Sequence, residues 1–171
     1  MMNKKTVIIQ GSSRSNGNTN RMTSFLQNNF GFEVVDLNTK NIHPYHYDYR
    51  YKNDDFIPTI KEIVTKYDTI IFATPIYWYT MSGIMKNFFD RITDCLKTEK
   101  SIGKQLKGKN MAVLSCGSDA ELKKGFTMPF EESAKYLGME YLGNIHTWIA
   151  DEEIPPQVKG GLEKFARELK I

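Results

Sequence analysis

The chain has 171 residues, 40% of them apolar and 25% charged, with 23 Lys and Arg against 20 Asp and Glu. That is room for one ordinary domain over 1–171, and a net charge of +3 makes no basic field for nucleic acid. Two cysteines, Cys95 and Cys116, cannot build a disulfide framework and argue for a reducing compartment, with the cytoplasm as default.

The charged start Met1 to Lys5 is followed only by Val7-Ile8-Ile9, too short for a signal-peptide apolar region. Thr6 to Gln10 reads as a buried strand that stops at Gly11. Asn18 or Thr19 then caps a helix with Met22, Phe25, Leu26 and Phe30 on one face and Gly31 as its stop. Phe32 to Leu37 is a second strand, and 38–55 is a loop without period. Asp55 caps a helix with Pro58 in its first turn and Ile60, Ile63, Val64 and Tyr67 on one side. Thr69 to Thr74 is the third strand, and Pro75 to Ser82 a loop. The apolar stretch from Thr69 to Met85 is broken by Pro75, Ser82 and Gly83, so it does not read as a membrane span. Ser82 caps a helix with Ile84, Met85, Phe88, Phe89 and Ile92 at helical spacing. The five lysines between Lys97 and Lys109 read as a solvated face. Asn110 to Ser115 is the fourth strand, Pro129 opens the next helix, and Gly138 ends it. Met139 to Ile149 holds a fifth strand, and Val158, Leu162, Phe165, Ala166 and Leu169 define a last helix.

Apolar strands alternating with amphipathic helices predict a parallel sheet with helices on both faces. Ligands of such sheets bind beyond the carboxyl ends of the strands, where strand order reverses. The loops after strands one, three and four are therefore the candidate site.

The first loop, Gly11-Ser12-Ser13-Arg14-Ser15-Asn16-Gly17-Asn18-Thr19, sets hydroxyls, amides and one cation at a helix N-terminus between two glycines. Free N–H groups there attract an anion, and an Arg goes beyond what a capping turn requires. Neither G-x-x-x-x-G-K-[ST] nor G-x-G-x-x-G is present, and no cysteine stands in the loop as a phosphatase nucleophile. The loop after strand three carries Tyr77-Trp78-Tyr79, which suits a flat aromatic ligand, a hydrophobic plug or a subunit interface.

These two segments carry a resemblance. Gly11-Ser12-x-Arg14-x-x-Gly17-Asn18-Thr19, with Thr74-Pro75-Ile76-Tyr77-Trp78-Tyr79-x-Met81-Ser82-Gly83-x-Met85-Lys86-x-Phe88-x-Asp90-Arg91, resembles the two signatures of the NAD(P)H-dependent FMN reductases of flavodoxin-like fold. The resemblance implies an α/β flavodoxin-like three-layer sandwich, a five-stranded parallel sheet of order 2-1-3-4-5 with helices on both faces. It implies bound FMN, NADH or NADPH as co-substrate, a small-molecule electron acceptor and a homodimer. Ser12, Ser13, Arg14, Asn16, Asn18 and Thr19 would hold the FMN phosphate. Pro75, Ile76, Tyr77 and Trp78 would line the isoalloxazine, and Cys116, Gly117, Ser118 and Asp119 would close its other side. The chemistry would run on the flavin N5, hydride in from the nicotinamide and out to the acceptor by ping-pong, with no catalytic side chain.

Iron–sulfur relatives carry cysteines after strand two. Here the frame Ile42-His43-Pro44 to Asp54-Asp55 holds none, so no cluster is expected. His43 and His46 lack a third ligand, so no metal is predicted. Tyr45, Tyr47, Tyr49 and Tyr51 alternate, and in an extended segment they would share one face, over a flavin or simply packed as a loop. Cys116 is expected to be inert, and His146 reads as structural. The rival reading is a non-enzymatic electron carrier like flavodoxin; a basic pI near 8.7 and the loop arginine count against it.

Overall fold

Thr6–Gln10 (β1), Thr69–Tyr77 (β3) and Asn110–Cys116 (β5) are almost wholly buried, as strands covered on both faces must be. The computed structural model describes residues 5–169; the charged start at 1–4 lies outside them. Glu33–Asp36 (β2) pairs with β1, and Glu140–Thr147 (β6) forms the opposite edge. The parallel order is β2-β1-β3-β5-β6, which is the predicted five-strand order, since Thr80–Met81 (β4) is a two-residue antiparallel addition to β3.

Period-two alternation splits the strand side chains between two layers. Val7, Ile9, Phe72 and Val113 face one cluster, shared with Phe56–Lys66 (α2), Gly83–Lys97 (α3) and Met128–Leu137 (α5). Ile8, Ile71 and Leu114 face the other, with Asn18–Phe30 (α1) and Pro156–Leu169 (α6). Phe56, Phe88 and Phe130 are fully buried, each contributing about 1.5–3 kcal/mol. Gly31 and Gly138 end α1 and α5 with φ of 70° and 68°, a left-handed turn that only glycine adopts without strain.

Several local readings change. The segment 75–82 is no simple loop: β3 runs on to Tyr77, and Trp78 and Tyr79 turn it into β4. The lysine-rich stretch includes a short helix, Lys100–Gly103 (α4). Asp55 occupies the start of α2 but gives it no side-chain cap; Asp54 accepts from the Phe56 N–H at 3.0 Å instead. No helix among the described residues is long and apolar enough to cross a membrane.

Candidate functional site

The order 2-1-3 makes β1 and β3 neighbours whose connections leave in opposite directions, so the loops after β1, β3 and β5 meet at one crevice. Ser82 ties the first two together. Its N–H donates to Thr74 Oγ1 at 3.0 Å, its hydroxyl donates to the Gly11 carbonyl at 2.6 Å, and its Oγ caps α3 by accepting from Met85 N at 3.1 Å. Gly11 must stay glycine, because a Cβ there would stand 2.9 Å from the Met85 side chain and 3.1 Å from its Cα. Ser82→Ala leaves the buried Gly11 carbonyl and Met85 N–H unpaired, and is expected to cost about 1–3 kcal/mol in a denaturant titration.

The first loop ends in α1, whose N-cap Gly17 provides no side-chain bond and whose first turn holds no acid. That leaves free donors and a positive dipole end, the arrangement that receives an anion. Ser12 and Thr19 are buried, while Arg14 is exposed beside Gly17. These residues with Asn18 border a cavity of about 230 Å³. Pro75, Ile76 and Tyr77 border it from β3, and Cys116, Gly117 and Ser118 from β5. Ten of the fourteen predicted residues therefore meet at one place. Ser13 lies outside the lining but bonds across it, its Oγ 3.3 Å from the Tyr77 hydroxyl. Asn16 is exposed and borders no described cavity.

Trp78 departs from expectation. Trp78 and Tyr79 have φ of 48° and 65°, which makes a two-residue hairpin turn normally built from Asn and Gly. Left-handed backbone costs such residues roughly 1–2 kcal/mol each, and strain of this kind concentrates at working sites. Trp78 projects 92% exposed at the tip and does not line the cavity.

The third loop adds a second cavity of about 140 Å³ that shares Ile76, Gly117 and Ser118 with the first. Asp119 borders this one, with Tyr79, Phe126 and His146. The Asp119 carboxylate accepts from Glu121 N at 2.8 Å, which holds its pKa below the usual range, with Ser118 adding a weaker bond. Burial pushes the Cys116 thiol up against the pull of Thr147 and Thr19, which disfavours the reactive thiolate.

Two residues brace these loops from elsewhere in the chain: Asn38, which no sequence pattern singles out, and His146, which reads as structural from the sequence but with no partner assigned. Asn38, just past β2, donates to Ser15 Oγ at 3.1 Å and braces the first loop from outside. His146 on β6 holds the third loop, with Nε2 2.9 Å from the Asp119 carbonyl. Both partners are more than 20 residues away in sequence, so no local pattern announces them.

The tyrosine segment is not extended. Tyr49 N donates to His46 O at 2.9 Å, closing a turn with Tyr49 at φ 54°. Tyr45 meets Tyr47 and Tyr49 edge-on at 5.3 and 6.1 Å, whereas Tyr51 stacks on His43 at 4.5 Å. None of the four lines either cavity. Among the described residues no three His, Cys, Asp or Glu come together as metal ligands.

The donor set suits a phosphate at one end and a flat ring at the other: hydroxyls, amide, guanidinium and free N–H groups without a facing carboxylate, then Pro75, Ile76 and Tyr77. Comparison with known proteins gives the same direction. YwqN of Bacillus subtilis (strain 168), which carries the name "Putative NAD(P)H-dependent FMN-containing oxidoreductase", is 31% identical over 151 residues, 82% of this chain and 83% of its own. The structure of the Trp repressor binding protein from Bacillus subtilis superposes with a TM-score of 0.75 at 27% identity, covering 97% of this chain and 98% of that one. An FMN-dependent NADH-azoreductase from Bacillus anthracis str. Ames Ancestor, in complex with FMN, shares the fold with a TM-score of 0.69 at 12% identity, covering 98% and 100%. The model of the NADPH-dependent FMN reductase family matches residues 4–150, and the chain belongs to that family of NAD(P)H-dependent flavin oxidoreductases.

Proposed function

We propose that the chain, as one domain over 1–171, reduces a small, flat, electron-poor acceptor such as a quinone, flavin, nitro or azo compound, using NADH or NADPH. The carrying observation is the convergence of three loops on one 230 Å³ cavity, cationic and hydroxyl-rich at the helix end and apolar at the hairpin end. FMN bound there supplies the hydride chemistry. Ser12, Arg14, Asn18 and Thr19, which line the cavity, would hold its phosphate by charge-assisted and neutral hydrogen bonds, and the exposed Ser13 and Asn16 join them only if the loop closes over it. Pro75, Ile76, Tyr77 and Trp78 orient the ring from one side, and the segment from Cys116 to Asp119 from the other. Trp78 reaches the ring only if its exposed side chain folds back or a partner subunit presents it. Nicotinamide and acceptor use the same open face in turn, which is double-displacement logic.

A protein–protein electron carrier is the second reading, and the basic pI near 8.7 and Arg14 speak against it. We also read the chain as a homodimer. A groove of about 420 Å³ between α3 and α5, with Phe89, Ile92 and Leu96 opposite Tyr136 and Leu137, suits a second copy. A monomer mass by light scattering would sink that part.

The deciding assay is spectroscopic. Protein that takes up FMN, turns yellow and bleaches under NADH or NADPH without air supports the reductase, and parallel double-reciprocal lines support double displacement. A colourless protein unable to take up FMN defeats the reading.

A further inference from the structure

Gly117 to Glu121 leaves the end of β5 and walls the second cavity. Gly117 N donates to Thr147 O at 2.9 Å, and Glu121 N donates to Asp119 Oδ1 at 2.8 Å. Among the described residues, the loop's middle has one hydrogen bond back to the sheet, from His146 Nε2 to the Asp119 carbonyl at 2.9 Å. A carbonyl only accepts, so Nε2 carries the proton. In the neutral ring Nδ1 is then an acceptor, and it stands 2.9 Å from the Oγ of fully buried Ser115. Both ring nitrogens are engaged, which fixes the ring's orientation.

Two features of the backbone serve that ring. A Cβ at Gly117 would lie 2.8 Å from His146 Cε1, so glycine lets the loop rest on the imidazole. The second is a bulge in β6. Met111 pairs with Tyr141, but Val113 pairs with Asn144, with Gly143 at φ 104° in the extra step. The shift sets His146 opposite Ser115; the earlier register would put Ile145 there. A histidine that merely packed would need neither a glycine cut to its ring nor a register shift.

From this geometry we infer that His146 is a positioning residue: it clamps the Asp119 carbonyl and so sets the wall that closes the ring end of the cofactor site. The inference rests on the flavin reading for its effect on the reaction, while the clamp itself is a property of the chain alone. His146 also borders the cavity that shares Ile76, Gly117 and Ser118 with the phosphate cradle, so a shift of the wall moves the site.

The test uses two substitutions in the full chain. Glutamine places its amide near Nε2 and keeps a donor for Asp119. Asparagine reaches only the Nδ1 position, facing Ser115, and loses Asp119. In FMN-free protein, His146→Asn is expected to raise amide hydrogen exchange over residues 117–121 about tenfold, and His146→Gln to stay within about threefold, the effect of one lost hydrogen bond. FMN dissociation constants follow the same order. KM for the nicotinamide rises more than kcat falls in the asparagine variant. Equal behaviour of the two variants, or exchange unchanged in both, overturns the clamp. Should His146→Asn fail to fold, Gly117→Ala pushes the loop off the ring and must give the same exchange signature; unchanged exchange there also overturns it. Wild-type protein that binds no FMN would sink the flavin reading, yet the exchange comparison would still decide the clamp.

Discussion

Replacing Arg91 with alanine is expected to lower stability by about 3–5 kcal/mol, the usual cost of removing one partner from a buried ion pair. Arg91 is 1% exposed and uses all five of its N–H groups. Nε donates to Asp94 Oδ2 at 2.8 Å, Nη1 to Asp54 Oδ2 at 2.5 Å and to His43 O at 2.9 Å, and Nη2 to Tyr51 O at 3.0 Å and Asp54 Oδ1 at 3.2 Å. Its guanidinium also lies 4.9 Å from the centre of the Phe56 ring. The residue thus fastens both ends of the tyrosine segment to α3. Arg91→Lys will not rescue the loss, because an ammonium has three donors and no planar fork. For a chain of this size the alanine variant is expected to melt roughly 6–20 °C lower. Hydrogen exchange over 43–54 should rise with it. A melting point within 2–3 °C of wild type would mean that the network carries little net stability.

The same network makes the fold acid-sensitive. Burial raises the Asp54 pKa, but hydrogen bonds from Arg91 and from the His43 and Phe56 N–H groups outweigh it, so the folded value lies below the ordinary carboxylate range. A folded pKa below the unfolded one contributes stability that is complete above the unfolded value and is lost as pH falls through the folded one. Denaturation midpoints should therefore fall below about pH 4 in the wild type, and fall less steeply there in Arg91→Ala.

Arg14→Ala is expected to weaken FMN binding by roughly 10–150-fold, the value of a charge-assisted contact of about 1.5–3 kcal/mol. Arg14 is exposed at the rim of the cradle, so melting of the FMN-free protein should not change. Arg14→Lys should recover part of the affinity, since it keeps the charge but not the two-point contact. Fluorescence titration of FMN measures each variant, and adding salt should narrow the gap between them. An alanine variant that binds as well as wild type would remove Arg14 from the phosphate contacts.

Much of the architecture was readable along the chain, because its signals are local. The buried runs Thr6 to Gln10 and Asn110 to Ser115, the glycine stops at 31 and 138, and the Ser82 cap each depend on residues within a few positions. The two signature segments were legible for the same reason, as each is a contiguous stretch of chain between a strand and a helix, although the second also holds the β3–β4 hairpin. Trp78 and Tyr79 were not, because two bulky residues at positive φ contradict their own preference and hold that shape only through the pairing of β3 with β4. The alternating tyrosines misled for a related reason. Period two implies one face only in an extended chain, and the turn at His46 to Tyr49 divides the set.

What the sequence determined alone is the alternation of elements, the family, and the three loops that border the candidate site. Tertiary structure decided how those loops are held. Asn38 bracing Ser15, Arg91 gathering Asp54, His43 and Tyr51, and the Gly143 bulge that turns His146 toward Asp119 all join residues distant in sequence or depend on strand register. Periodicity records which face of an element is apolar. It does not record which polar partner lies across the fold, because that is chosen only when desolvation forces each buried donor to find an acceptor.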